Sequence, residues 1–71
     1  MQNERLKNLG LNIKRARLKK NISQEELAEM VNTSRTTISM IETARQHSTI
    51  LKVVDIARVL AVDINELLQD V

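Results

Sequence analysis

Apolar residues recur along this chain at steps of three and four. Leu6, Leu9, Ile13 and Ala16 form the first such series, with basic residues filling the remaining faces through Lys20. That period is one face of an α-helix, and Asn21 is a suitable stop. Ser23 followed by Glu26 spells a capping box, opening a second helix over 23–31 whose inward residues are Leu27, Ala28 and Val31. Asn32 then occupies a turn, where Asn accepts a left-handed conformation more cheaply than most residues. Ser34 caps a third helix over 34–43 that buries Ile38 and Ile41. Residues 44–48 read as a loop. Ser48 or Thr49 caps a fourth helix, with Ile50, Val53, Val54, Ile56, Ala57 and Leu60 expected on a broad core face. Asp63 and Glu66 suggest another capping box for a short last helix containing Ile64, Leu67 and Leu68.

No alternating β-branched run flanked by turn pairs occurs, so no strand is expected. The chain has no Pro and one Gly, with no linker, repeat or low-complexity segment. Its 71 residues suit one small domain, 1–71. The expected fold is all-α, a compact five-helix domain. Without Phe, Tyr or Trp the core must be aliphatic. A domain of this size buries a small share of its surface, which favours extra burial in a dimer. The absence of Cys removes disulfides and cysteine zinc sites and fits a cytoplasmic setting. The lone His47, without a carboxylate cluster, does not make a metal site. No apolar run has the length of a membrane span, and no residues are arranged as a catalytic triad. An enzyme, a metal, a cofactor and a small-molecule ligand are therefore not expected.

Charge divides the chain. Residues 1–45 carry nine Lys and Arg against five Glu, a net of +4, whereas residues 46–71 carry a net of −2. The basic part suits a polyanion. The helices at 23–31 and 34–43 are joined too tightly to run antiparallel with ease, and a sharp crossing makes them a helix-turn-helix unit. On the second of them Arg35, Thr36, Ser39, Met40 and Thr43 point away from Ile38 and Ile41. Short hydroxyls with one Arg are an unusual solvent face, but they suit a major groove. Arg donates in parallel to guanine, Thr and Ser reach either base type, and a thioether lies against the thymine methyl. Gln24, Thr37 and Arg45 are placed to reach phosphates on either side.

The stretches IKRARLKKNISQEELAEMVNTSRTTISMIE and TILKVVDIARVLAVDINELL, spanning Ile13 to Leu68, resemble the lambda-repressor/Cro (XRE-like) family of helix-turn-helix transcriptional regulators. The resemblance implies a five-helix domain that binds double-stranded DNA as a homodimer on a partly palindromic operator, with no cofactor. It implies DNA-facing, base-reading positions at Ser34, Arg35, Thr36, Ser39 and Met40, phosphate binding by Arg17 and Gln24, and a basic loop position at Arg45. Thr37 and Thr43, flanking the outward face of the helix over 34–43, are expected on phosphate as well. It also pairs Arg17 with Glu42, an ion pair that turns the arginine toward phosphate. Asn32 and Ala44 stand where the family has glycines, and Ser48 where proline is common. At Ala44 a positive φ would cost about 1 kcal/mol.

Leu51, Val59, Ile64, Leu67, Leu68 and Val71 exceed what one short terminal helix and the fourth helix can bury, so they are expected to form a two-fold dimer patch. With no residues beyond 71 in this sequence, dimerisation is expected to use that surface. Two other readings remain at this stage. One is a helix-turn-helix scaffold that binds another protein, and the other is a non-specific DNA binder.

Overall fold

A computed structural model describes residues 3–71, so the first two residues of the expected 1–71 domain lie outside the described residues. Five helices follow in order: α1 (Glu4–Lys19), α2 (Gln24–Met30), α3 (Arg35–Glu42), α4 (Ile50–Val59) and α5 (Ile64–Leu67). No strand occurs among the described residues. α1 crosses α3 and reaches α5, α2 packs on both α3 and α4, and α4 leads into α5.

The caps explain where each helix starts. Asn3 accepts from the amides of Arg5 and Leu6. Ser23 Oγ accepts from Glu26 N at 3.0 Å, and Glu26 Oε1 accepts from Ser23 N at 2.9 Å, completing the capping box. Ser34 caps α3 through Thr37 N, and Thr49 rather than Ser48 caps α4 through Lys52 N. Asp63 departs from the expected box: its carboxylate accepts from Asn65 N at 2.8 Å, and Glu66 N donates instead to the Asp63 carbonyl. In a helix of four residues, the cap closes at the second amide.

The ends are more uniform. After α1, α2, α3 and α4 the chain turns through a single left-handed residue: Asn21, Asn32, Ala44 and Ala61, with φ between 55° and 61°. At each, two amides reach back to the last turn. After α3, for example, Ala44 N donates to Ile41 O at 3.2 Å and Arg45 N to Met40 O at 2.8 Å. This is the Schellman arrangement, ordinarily closed by glycine. Asn tolerates the conformation, whereas Ala has no local hydrogen bond to offset it.

The single glycine is used elsewhere. Gly10 lies in the middle of α1 where that helix crosses the end of α3, and a Cβ there would come within 2.6 Å of Ile41 O and 2.7 Å of Glu42 O. Backbone meets backbone at this crossing, and no side chain fits between. Around it the core is aliphatic: Leu9, Ile13, Ala16, Leu27, Ala28, Val31, Ile38, Ile41, Val53, Ile56, Ala57, Leu60 and Leu67 are buried. Three positions depart from expectation, one of them Val54, expected on the core face of α4 but half-exposed and outside the core cluster. Ile50, expected on the core face of α4, is 62% exposed. It sits in the first turn, past the edge of the neighbouring helices. Leu67, expected in the dimer patch, is fully buried in its own domain. α5 is short, but α1 and α4 both close over it, so Leu67 has no surface to offer a partner.

Polar side chains tie the last turns down. Asn12 Nδ2 donates to Leu67 O at 2.9 Å and Gln69 O at 2.8 Å, and Asn8 Nδ2 to Asp70 O at 3.0 Å. Lys52 Nζ donates to Val31 O at 2.7 Å, closing the C-terminus of α2 from α4. These bonds satisfy carbonyls that a helix end leaves unpaired.

Three outcomes follow from this packing. Gly10→Ala should destabilise the domain by about 1–3 kcal/mol, the usual cost of overpacking, read as a lower urea midpoint with unchanged helical signal. Ala61→Gly should stabilise it by about 0.5–1 kcal/mol, because the left-handed penalty is removed while some chain entropy is lost; thermal melts check the sign. The Ser23 backbone amide, and then its hydroxyl, hold the Glu26 carboxyl below its ordinary value of 4.5. A carboxyl lowered in the folded state adds stability above its unfolded value and loses it as pH falls through the folded one. Stability should therefore decline below about pH 4.5, and Glu26→Gln should flatten that acid limb in pH-dependent melts.

Candidate nucleic-acid interface

α3 is eight residues long, too short to hold an orientation unaided. Its last turn is fixed by a buried polar cluster. Arg17 Nε donates to Glu42 Oε2 at 2.7 Å and Arg17 Nη2 to Glu42 Oε1 at 3.0 Å, a two-pronged ion pair. Gln24 Nε2 donates to the same Oε1 at 3.0 Å, and Arg17 Nη1 donates to Ile22 O at 2.8 Å. One carboxylate thus joins α1, α2 and α3. No buried side-chain nitrogen or oxygen among the described residues lacks a partner, so the charge is enclosed without an unsatisfied group.

The ion pair expected between Arg17 and Glu42 is thus present. Arg17 is 6% exposed, and three of its N–H groups are already bonded inside the protein. It stands just behind the surface, with two of its five N–H groups not bonded inside the protein, and the ion pair holds the guanidinium in that place. Gln24 is half-buried. One amide proton is taken by Glu42, which leaves one to donate outward.

With the inner side of α3 held this way, the opposite side faces out. Arg35 and Thr36 are exposed, and Ser39 and Met40 are half-exposed. Together with Arg45 they line one open depression of about 370 Å³. Arg45 reaches it because the left-handed Ala44 reverses the chain directly after α3, and Arg45 N is anchored on Met40 O. The loop that departs from the family's glycine and proline pattern therefore still brings its arginine to α3. Two guanidiniums share one concavity with two short-chain hydroxyls and a thioether. That set offers parallel donors, adaptable donor-acceptors and an apolar contact on one face.

The remaining hydroxyls are occupied. Ser34 Oγ accepts from Thr37 N and lies 3.0 Å from Thr37 Oγ1. Thr43 Oγ1 donates to Ser39 O at 2.8 Å. Ser34, expected among the base readers, and Thr37 and Thr43, expected on phosphates, are thus engaged in closing the ends of α3. Ser34 and Thr37 spend one of their two hydroxyl protons on each other and Thr43 spends its own on Ser39 O, whereas the Thr36 and Ser39 hydroxyls carry no such bond and face outward. The signal for Ser34's capping role was in the sequence, as a hydroxyl residue just ahead of the third apolar-periodic stretch. The clasp by Asn8 and Asn12 had no such signal, because its partners lie more than fifty residues away. Among the described residues, no group of His, Cys, Asp or Glu is arranged to hold a metal ion, and no helix is long and apolar enough to cross a membrane.

The comparisons with known proteins agree with this geometry. The helix-turn-helix family model matches residues 13–67. The wild-type restriction-modification controller protein C.Esp1396I is 33% identical, with 97% of this chain and 92% of that chain covered and a TM-score of 0.86. SinR, a master regulator for biofilm formation whose crystal structure is in complex with DNA, is 33% identical over 84% of this chain and 97% of that one, with a TM-score of 0.78. The hypothetical transcription factor NHTF from Neisseria is 31% identical over 92% and 75%, with a TM-score of 0.86. None of the curated proteins matches the chain. Sequence match and superposition both run through the α2–α3 unit, and the chain belongs to the helix-turn-helix family of XRE-like transcription regulators.

Proposed function

We propose that this chain is a sequence-specific regulator of transcription that binds double-stranded DNA as a homodimer, with α3 in the major groove. The observation that carries the reading is the depression shared by Arg35, Thr36, Ser39, Met40 and Arg45. Arg35, in the first turn of α3, reads guanine through two parallel bonds. Thr36 and Ser39 donate or accept as the base requires, and Met40 packs against a thymine methyl. Arg45, beyond the other end, holds phosphate or sugar. Gln24 gives its free amide proton to the backbone. Arg17 and Glu42 set the orientation of both α3 and Gln24. Exposed Lys14, Arg15, Lys19 and Lys20 add longer-range attraction.

A partly palindromic operator follows from two-fold symmetry, with half-sites about 34 Å apart. The protomer measures 30 × 24 × 21 Å, so two of them side by side can place their recognition helices at that spacing. The dimer surface centres on Leu51, 73% exposed, and on Ile50 beside it. Val59, Ile64, Leu68 and Val71 are half-buried against the core and form its margin. Leu67 has no part in it. The similarity to C.Esp1396I over nearly the whole of both chains favours a regulator of the controller-protein type.

Selection of bound fragments from a random duplex pool should yield a palindromic consensus bound by two chains per duplex. Affinity for it should fall steeply between low and physiological salt, as phosphate neutralisation requires. Arg35→Ala should cost about 1–3 kcal/mol and relax one base position in each half-site. Salt-insensitive or absent binding would show that the α3 face serves a different partner, and salt-sensitive binding without a consensus would make the chain a non-specific DNA binder.

A further inference from the structure

We infer that the outer face of α1 is a docking surface for an acidic amphipathic helix of another protein, which seats a large apolar side chain between α1 and the end of α3. Leu11 and Leu18 are 41% and 53% exposed. They lie seven residues apart, two helical turns, on the side of α1 opposite the buried Leu9, Ile13 and Ala16. They leave two apolar contact points two turns apart on this face, with the exposed Lys14 and Arg15 between them. Beside Leu11 a cleft of about 250 Å³ is lined by Lys7, Leu11, Lys14, Glu42, Thr43 and Ala44. Glu42 is committed to Arg17 and Gln24, so the free charges at the rim are Lys7 and Lys14.

The charge of the face selects its occupant. α1 exposes Arg5, Lys7, Lys14, Arg15 and Lys19, with Glu4 as its sole acid. A second copy of this chain, laid along the same face, would set cation against cation, with lysines facing lysines. DNA would satisfy the cations but has no use for two exposed leucines. A helix with leucines at the matching period, flanked by Glu or Asp, satisfies both features. Bound there, it touches Thr43 and Ala44, the left-handed turn from which Arg45 reaches the reading depression. Docking on α1 therefore bears on the same turn that shapes the DNA face, although the docking itself does not depend on DNA binding.

The test uses the full chain and a fluorescein-labelled synthetic three-heptad peptide with leucine at the seam positions and glutamate on the flanks. A peptide of the same composition in shuffled order is the control. Binding should be seen by anisotropy, with amide shifts at Leu11, Leu18, Thr43 and Ala44 in NMR spectra. Leu11→Ser and Leu18→Ser should each weaken it about tenfold, the effect of losing one buried leucine contact. Both side chains are exposed, so thermal melts should stay unchanged; should either melt fall, Lys14→Glu provides the same readout from a solvated position, and should also weaken peptide binding. Equal binding of the shuffled peptide would reduce the interaction to general charge attraction and overturn the proposal. So would unchanged affinity in the leucine variants, or shifts that map to another face. Loss of duplex binding in those variants, without peptide binding, would assign the face to DNA.

Discussion

The carboxylate of Glu42 is the point on which the arrangement of the first three helices turns. It closes the last turn of α3 and accepts three bonds, two from Arg17 on α1 and one from Gln24 on α2. Enclosing a charge is costly, and the cost is offset only where the partner is charged and the remaining lone pairs are filled. Here both conditions hold. Gly10 acts on the backbone of the same turn, letting α1 approach until only main-chain atoms separate the two helices. α3 is thus fixed by its end, from two directions, and its middle and first turn are left to project. Loss of either partner of the ion pair would leave a buried charge uncompensated, which is far more damaging than loss of a surface pair.

How much of this was legible in the sequence depends on the range of the interaction. Helix starts were legible because a cap acts within the first turn: Ser23 with Glu26, and Ser34 just ahead of the apolar-periodic stretch, state themselves. Helix ends were legible at Asn21 and Asn32, where the residue type suits a left-handed turn. At Ala61 nothing in the residue signals the turn, and the geometry is imposed by the elements on either side. Ile50 and Leu67 were misplaced for a common reason. Periodicity tells which side of a helix is apolar, but not how far the neighbouring helices extend. α4 begins beyond the core and leaves Ile50 outside it; α5 is covered on two sides and keeps Leu67 within. The Asn8 and Asn12 clasp and the Lys52 cap join residues distant in sequence, and polar residues of this kind look like solvated ones until the fold brings their carbonyls to them.

The chain's glycine usage separates two demands that both favour the residue. Left-handed turns favour glycine for its backbone freedom, and close helix crossings favour it for its missing Cβ. With one glycine available, the crossing has it, and two of the turns carry alanine. The difference in cost explains this distribution. A left-handed alanine costs about 1 kcal/mol and leaves the fold intact, whereas a Cβ 2.6 Å from a carbonyl oxygen requires the two helices to move apart. Such a shift would carry Glu42, and with it the orientation of α3.

Hydroxyl bonding explains why the outward face of α3 is narrower than its residue types suggest. Ser and Thr favour local bonds to the backbone, and three of the five between residues 34 and 43 use their hydroxyls to close the helix ends. The two that remain free, Thr36 and Ser39, are those that share the depression with Arg35, Met40 and Arg45. The helix ends therefore shape this face in two ways: they hold Ser34, Thr37 and Thr43 at the two ends of α3, and at Ala44 they turn the chain so that a second guanidinium enters from the far side. A polar face of this kind is set as much by which groups are already satisfied as by which are present.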